Sequence, residues 1–154
     1  MLFYLSGSIE YSPDYGKGWR RELTPLLTSL GHTVYDPALD EKKNLTGEEL
    51  KNFRRWKTED LSHFQATIRK IIDYDLNIIE QKCDAVIVLW DEYATRGAGT
   101  HAEVTAAYRH GIPVYLVAGM PLPQVSGWIM GCSSRIFDDF AQLQEFLSRE
   151  MAGR

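Results

Sequence analysis

Three side chains of this 154-residue sequence could act together in catalysis: Glu103, Asp75 and Tyr4. Glu103 ends the stretch Gly97-Ala98-Gly99-Thr100-His101-Ala102-Glu103. A carboxylate in the positive field of a helix start stays ionised, which suits a nucleophile better than an acid. The same spacing has a structural reading, since Thr100-x-x-Glu103 is a capping box and places Glu103 in the first helical turn. Asp75 interrupts an apolar stripe formed by Ile68, Ile71, Ile72 and Ile79. Burial of an unpaired carboxylate is expensive, so the stripe opens onto a polar cleft there, or the group is paired, or the helix turns it to solvent. Asp73 and Asn77 lie off the stripe and read as solvated surface. Tyr4 stands inside an apolar run, where a buried hydroxyl needs a partner and a carboxylate would serve.

The elements that must carry these groups alternate strand with helix along the chain, the pattern of a mostly parallel sheet covered on both faces. The spacing predicts strands at Phe3 to Ser6, His32 to Tyr35, Ala85 to Trp90 and Ile112 to Val117, with a weak fifth at Arg135 to Phe137. Helices are expected around Trp19 to Leu30, Gln65 to Gln81, Thr100 to His110 and Asp139 to Met151. Pro25 should kink or restart the first of these, with Thr24 as a possible cap. Residues 38–63 break the rhythm as a charged helical insertion, opened by the capping box Thr46-Gly47-Glu48-Glu49, and are the candidate lid.

The expected fold is therefore α/β, a single domain over residues 1–154 with an open five-stranded sheet of the flavodoxin-like or Rossmann-like kind. Ligands of such sheets bind beyond the carboxyl ends of the strands. That rule points to Ser6-Gly7-Ser8, to Trp90-Asp91 and to Ala118-Gly119. Gly7, Gly97 and Gly99 would allow close backbone approach or positive φ. Gly7, Ser8, Asp91, Gly99 and Thr100 are the substrate-binding candidates, although Asp91 could equally open a turn. His101 is expected on the exposed side of its helix and receives no role.

A net charge of −4 gives no basic surface for nucleic acid. The longest apolar runs fall well short of the roughly 20 residues that span a bilayer, and Met1 to Leu5 lacks the basic head of a signal peptide. Neither Cys83 nor Cys132 has a second sulfur or a histidine at metal-ligand spacing, and both read as reduced core thiols of a cytoplasmic protein. No metal site and no organic cofactor is visible.

Taken in order, Phe3-Tyr4-Leu5-Ser6-Gly7-Ser8, Asp75-Leu76, Cys83-Asp84-Ala85-Val86-Ile87-Val88, Gly99-Thr100-x-x-Glu103 and Gly111-Ile112-Pro113-Val114 resemble the nucleoside 2-deoxyribosyltransferase family. That family includes base-exchanging transferases and 2′-deoxynucleoside 5′-phosphate N-hydrolases. The resemblance implies that Glu103 is the nucleophile that attacks C1′ of the deoxyribose. It makes Asp75 the carboxylate supporting the leaving base and proton transfer, Tyr4 the hydroxyl that holds the nucleophile, and Gly7 and Ser8 the loop along the sugar or its 5′ substituent. It also implies a small-molecule deoxynucleoside or deoxynucleotide partner and a homo-oligomer, with Asp75's helix and Pro121 to Cys132 as contact surfaces.

Two positions depart from the family. Base-exchanging members carry an aspartate six residues before the nucleophile, where this chain has Gly97, so Asp91 becomes the candidate for base contact. Glu10 follows Gly7-Ser8-Ile9, which disfavours a 5′-phosphate unless Lys17 or Arg96 compensates. The stretch Gly97 to Glu103 also resembles the glycine-rich loop of Lonely Guy-type phosphoribohydrolases. A non-catalytic nucleotide-binding module is the third alternative.

Overall fold

The computed structural model describes residues 1–151. Five strands form one sheet: β1 (Leu2–Ser6), β2 (Thr33–Tyr35), β3 (Ala85–Trp90), β4 (Val114–Ala118) and β5 (Arg135–Phe137). Their order is β2-β1-β3-β4-β5 and every pairing is parallel. This is the flavodoxin-like order, which reverses direction between β1 and β3 and leaves a crevice at their carboxyl ends. The helices are α1 (Lys17–Ser29), α2 (Gly47–Glu59), α3 (Leu61–Gln81), α4 (Ala98–Arg109), α5 (Gly127–Cys132) and α6 (Phe140–Glu150). Among the described residues no helix is long and apolar enough to cross a membrane.

The alternation of β1 divides the core. Phe3 and Leu5 pack with Ala85, Ile87 and Val117 against Leu23 and Leu27 of α1 and Leu143 and Leu147 of α6. Tyr4 faces the other way, with Val86, Val88, Trp90 and Leu116 against Ile78 and Ile79 of α3, Val104 and Ala107 of α4 and Ile129 of α5. Strand side chains alternate between faces with period two, so Ser6 shares the face of Tyr4. Both therefore point toward the helices that carry Asp75 and Glu103.

Several helix boundaries differ from the sequence expectation for local reasons. Helix α1 runs unbroken through Pro25, and Thr24 is no cap: its hydroxyl donates to the Arg20 carbonyl at 2.7 Å. Helix α3 starts four residues earlier than periodicity suggests, because the Asp60 carboxylate accepts from the His63 amide and caps it. The insertion forms a full 13-residue helix with the expected capping box at Thr46 and Glu49. That helix buries no residue, and it packs on α3.

Helix α4 corrects the reading of Glu103. It begins at Ala98, with Gly97 in the capping position and no side-chain cap. Thr100 is buried inside the helix, so Thr100 and Glu103 form no capping box, and Glu103 lies in the second turn. Neither Gly97 nor Gly99 has a positive φ, and Gly99 is a helical residue with open space around it. The space beside Gly97 is taken instead by the Tyr11 ring, 3.4 Å from where a Cβ would stand.

Candidate active site

With its capping role gone, the Glu103 carboxylate turns to β1. The Tyr4 hydroxyl donates to Oε1 at 2.8 Å and the Ser6 hydroxyl donates to Oε2 at 2.5 Å. Tyr4 and Ser6 are fully buried, so the strand fixes both donors. Burial holds the Glu103 carboxyl above the ordinary glutamate range, against the pull of the two hydroxyls; the Asp75 charge adds to the rise and Lys43 opposes it. Burial and the adjoining carboxylates push the Tyr4 phenol well above its usual value, so its proton stays on oxygen and the hydroxyl donates. The field of the helix N-terminus is therefore not what tunes this carboxylate. Desolvation and two hydroxyl donors do so.

Asp75 is buried and paired. Lys43 donates to Oδ2 at 2.6 Å, and the Tyr35 hydroxyl lies 3.3 Å from Oδ1 and 3.1 Å from Asp40 Oδ2. Burial raises the Asp75 carboxyl, while Lys43 and Tyr35 pull it down and Asp40 adds a further rise. Asp73 and Asn77 are exposed, as their position off the stripe suggests. Ile72 is nearly half exposed, so the buried stripe is narrower than the pattern of isoleucines implies.

The loop after β1 is held by a residue that sequence reasoning passed over. Arg20 is fully buried and donates to the carbonyls of Leu5, Gly16 and Gly7 at 3.1, 2.7 and 3.0 Å, with Asp36 3.6 Å away. One guanidinium thus ties the end of β1 to the start of α1. A Cβ at Gly7 would stand 3.2 Å from the Trp19 ring, so a larger residue there requires that ring to shift. Ser8 follows, half-buried, at the mouth of the crevice.

Asp91 does not reach into the crevice. Its carboxylate accepts from the Tyr93 and Ala94 amides at 3.0 and 2.9 Å, which is the turn-forming role. His101 is half-buried rather than exposed, packing edge-on against Trp90 while Nδ1 meets the Gly97 carbonyl at 2.7 Å. Glu10 is paired with Lys57 of α2 at 2.6 Å, so neither Lys17 nor Arg96 supplies its counter-charge. Lys17 meets Glu41 instead, and Arg96 lies over the Tyr93 ring.

Between the insertion, α2, α3 and the loop after β1 lies a cavity of about 640 Å³. Its walls are mixed: Leu45, Leu50, Phe53, Phe64, Ile68 and Ile71 give an apolar side, and charged groups, among them Glu10, Lys57, Arg54, Asp40, Lys43 and Asp75, line the rest. Lys43 and Asp75 are the polar groups common to the cavity and to the surroundings of Glu103. Cys83 and Cys132 are buried free thiols, and burial raises the Cys83 thiol to about 11. Among the described residues no group of three His, Cys, Asp or Glu side chains is placed to hold a metal ion.

Of the sequence candidates, the structure brings together Glu103, Asp75 and Tyr4 and sets Gly7 and Ser8 at the same strand end; Asp91 holds the turn after β3, Thr100 is buried in α4, and Gly99 lies exposed in the first turn of that helix. It adds Ser6, Lys43, Tyr35 and Arg20. Ser6 was legible two residues beyond Tyr4 on one strand face, and Arg20 on the stripe of Leu23 and Leu27. Lys43 carries no periodic signal.

No protein-family model matches the chain, and no curated protein matches it. Among solved structures it superposes on the 2-deoxyribosyltransferase from the psychrotolerant bacterium Bacillus psychrosaccharolyticus, with a TM-score of 0.61 and 19% identity. The likeness covers 94% of this chain and 90% of that one, an enzyme described as a biocatalyst for the synthesis of antiviral and antitumoral nucleosides. Over nearly its whole length, this chain has the fold of a 2-deoxyribosyltransferase.

Proposed function

We propose that the protein belongs to the nucleoside 2-deoxyribosyltransferase family and breaks the N-glycosidic bond of 2′-deoxynucleosides or their 5′-phosphates through a covalent deoxyribosyl-Glu103 intermediate. The observation that carries this reading is the Glu103 carboxylate, held by the Tyr4 and Ser6 hydroxyls at the crevice where this fold binds ligands. A carboxylate so fixed is positioned rather than free, and the two donors favour its ionised form against the burial that raises it.

In the first half-reaction a Glu103 oxygen bonds to C1′ as the C1′–N bond breaks. The bond's electron pair leaves with the base nitrogen, which takes a proton from solvent water relayed by the ionised Asp75 carboxylate. In the second half, water or another base attacks C1′, releases its proton through Asp75 and frees Glu103. Negative charge close to C1′ stabilises the oxocarbenium-like transition state in both. The apolar side of the cavity, with Phe53 and Phe64, is the proposed base pocket, taking the part for which Asp91 was the sequence candidate. With Glu10 neutralised by Lys57, a 5′-phosphate is no longer disfavoured on charge. A homo-oligomer belongs to the same proposal, with Trp128, 68% exposed, on the face offered to a second copy.

The test is incubation with a panel of deoxynucleosides and deoxynucleotides, with and without a second free base, followed by chromatography. A new nucleoside establishes transfer, and free base alone establishes hydrolysis. Absence of both, or turnover unchanged in Glu103→Ala, rejects the proposal.

A further inference from the structure

Lys43 lies in the charged insertion, yet it is 7% exposed, far below what an insertion lysine needs for hydration. Its ammonium meets Asp75 at 2.6 Å, a contact that spans the insertion and α3. Lys43 and the next residue, Asn44, both adopt left-handed backbone conformations, with φ of 36° and 62°. A non-glycine pair takes that conformation only where the surroundings hold it there. The insertion's backbone is thus shaped to deliver this one cation beneath the cavity that Lys43 and Asp75 both line.

The charges around it explain what such a cation does. Asp75 comes from α3, Asp40 from the insertion and Glu103 from α4, with the phenols of Tyr35 on β2, Tyr4 on β1 and Tyr74 on α3 facing the same group. Arg20 is the other buried cation nearby, but its nitrogens serve three carbonyls and Asp36. Neighbouring carboxylates raise one another's pKa, and without a counter-charge one of them takes up a proton.

We propose that Lys43 is a positioning residue for catalysis, the cation that keeps the Asp75 and Glu103 carboxyls ionised together so that Glu103 is a competent nucleophile at neutral pH. This rests on the proposed glycosyl-transfer reaction, and it assigns to the insertion a chemical task besides covering the site.

The experiment compares the full chain with Lys43→Met and Lys43→Arg. Thermal melts and circular dichroism establish that each variant is folded. Carbon NMR titration of the Asp75 and Glu103 carboxyls then reads the charge effect without any need for turnover. In Lys43→Met the upper titration of the pair moves to higher pH by about one pH unit or more, and Lys43→Arg restores it. With the best deoxynucleoside substrate, the acid limb of kcat/KM moves in the same direction. Activity in Lys43→Met is therefore lost by about tenfold or more on the acid side and recovers at alkaline pH. An unmoved carboxyl titration, or a pH-independent loss confined to KM, overturns the role of Lys43. If the wild-type protein turns over no deoxynucleoside, the proposed reaction fails, while the carboxyl titration still decides whether Lys43 sets the charge of the pair.

Discussion

Removing either hydroxyl that holds Glu103 strips a hydrogen bond from a partly buried charge, a contact of about 1.5–3 kcal/mol. Tyr4→Phe and Ser6→Ala are accordingly expected to lower kcat by about 10- to 100-fold with little change in KM, because they touch the nucleophile and not the cavity walls. Each also removes a donor that favours the ionised carboxyl, so the acid limb of the rate profile moves to higher pH. Steady-state kinetics across pH checks both, and a wild-type rate in either variant denies Glu103 its role. His32 offers a residue-scale prediction about stability. It is buried against Phe3, and neither ring nitrogen has a hydrogen-bond partner. His32→Leu removes that unsatisfied polarity and is expected to stabilise by about 1 kcal/mol, seen as a melting temperature about 2–4 °C higher. A lower melting temperature would mean that the ring's packing on Phe3 outweighs its desolvation.

Helix α2 is the element least anchored to the core, since it buries no residue and depends on its capping box and on surface pairs such as Lys70 with Glu49. Thr46→Ala deletes the cap, at about 0.5–2 kcal/mol of local stability. Amide exchange over residues 47–59 should quicken by about 2- to 30-fold while the global melt hardly moves, and a cooperative loss of the whole fold would show that α2 is not a separate opening unit. The elements themselves were legible where hydrophobic period carries them: all five strands and the longer helices lie within a few residues of where alternation and 3.6-residue spacing put them, whereas α5, six residues long, is too short to show a period. Tyr4 and Asp75 were legible as polar groups on apolar faces. The cap of α4 was not, because Thr100-x-x-Glu103 satisfies the local rule and only the tertiary pull of Tyr4 and Ser6 shows where the carboxylate goes. Lys43 escaped because an irregular backbone, with no period to read, carries it 32 positions across the sequence to Asp75.

At the scale of the molecule, the site works against the stability of the fold that holds it, and the sign of that opposition can be worked out. Burial raises the Glu103 carboxyl relative to the unfolded chain. A group raised on folding gives its full stabilising contribution while protonated, below its unfolded pKa, and loses it as pH climbs through the folded pKa. At neutral pH the native state therefore carries a partly desolvated negative charge that it would be more stable without. Glu103→Gln keeps the shape and an acceptor for Tyr4, and the Ser6 hydroxyl can turn to accept from the new amide. The variant is expected to be inactive yet to melt above the wild type at pH 7. The difference should shrink as pH falls through the carboxylate range, where the wild-type glutamate takes up its proton. Asp75, raised by burial in the same direction, is present in both proteins and cancels from the comparison. Calorimetry at a series of pH values decides the matter. A difference that stays constant with pH, or grows toward acid, would mean that the Tyr4 and Ser6 hydroxyls more than offset burial and that Glu103 stabilises the fold it serves. The expected pattern instead marks Glu103 as a residue whose retention the fold alone does not explain, because its ionised form is costly everywhere except in a reaction.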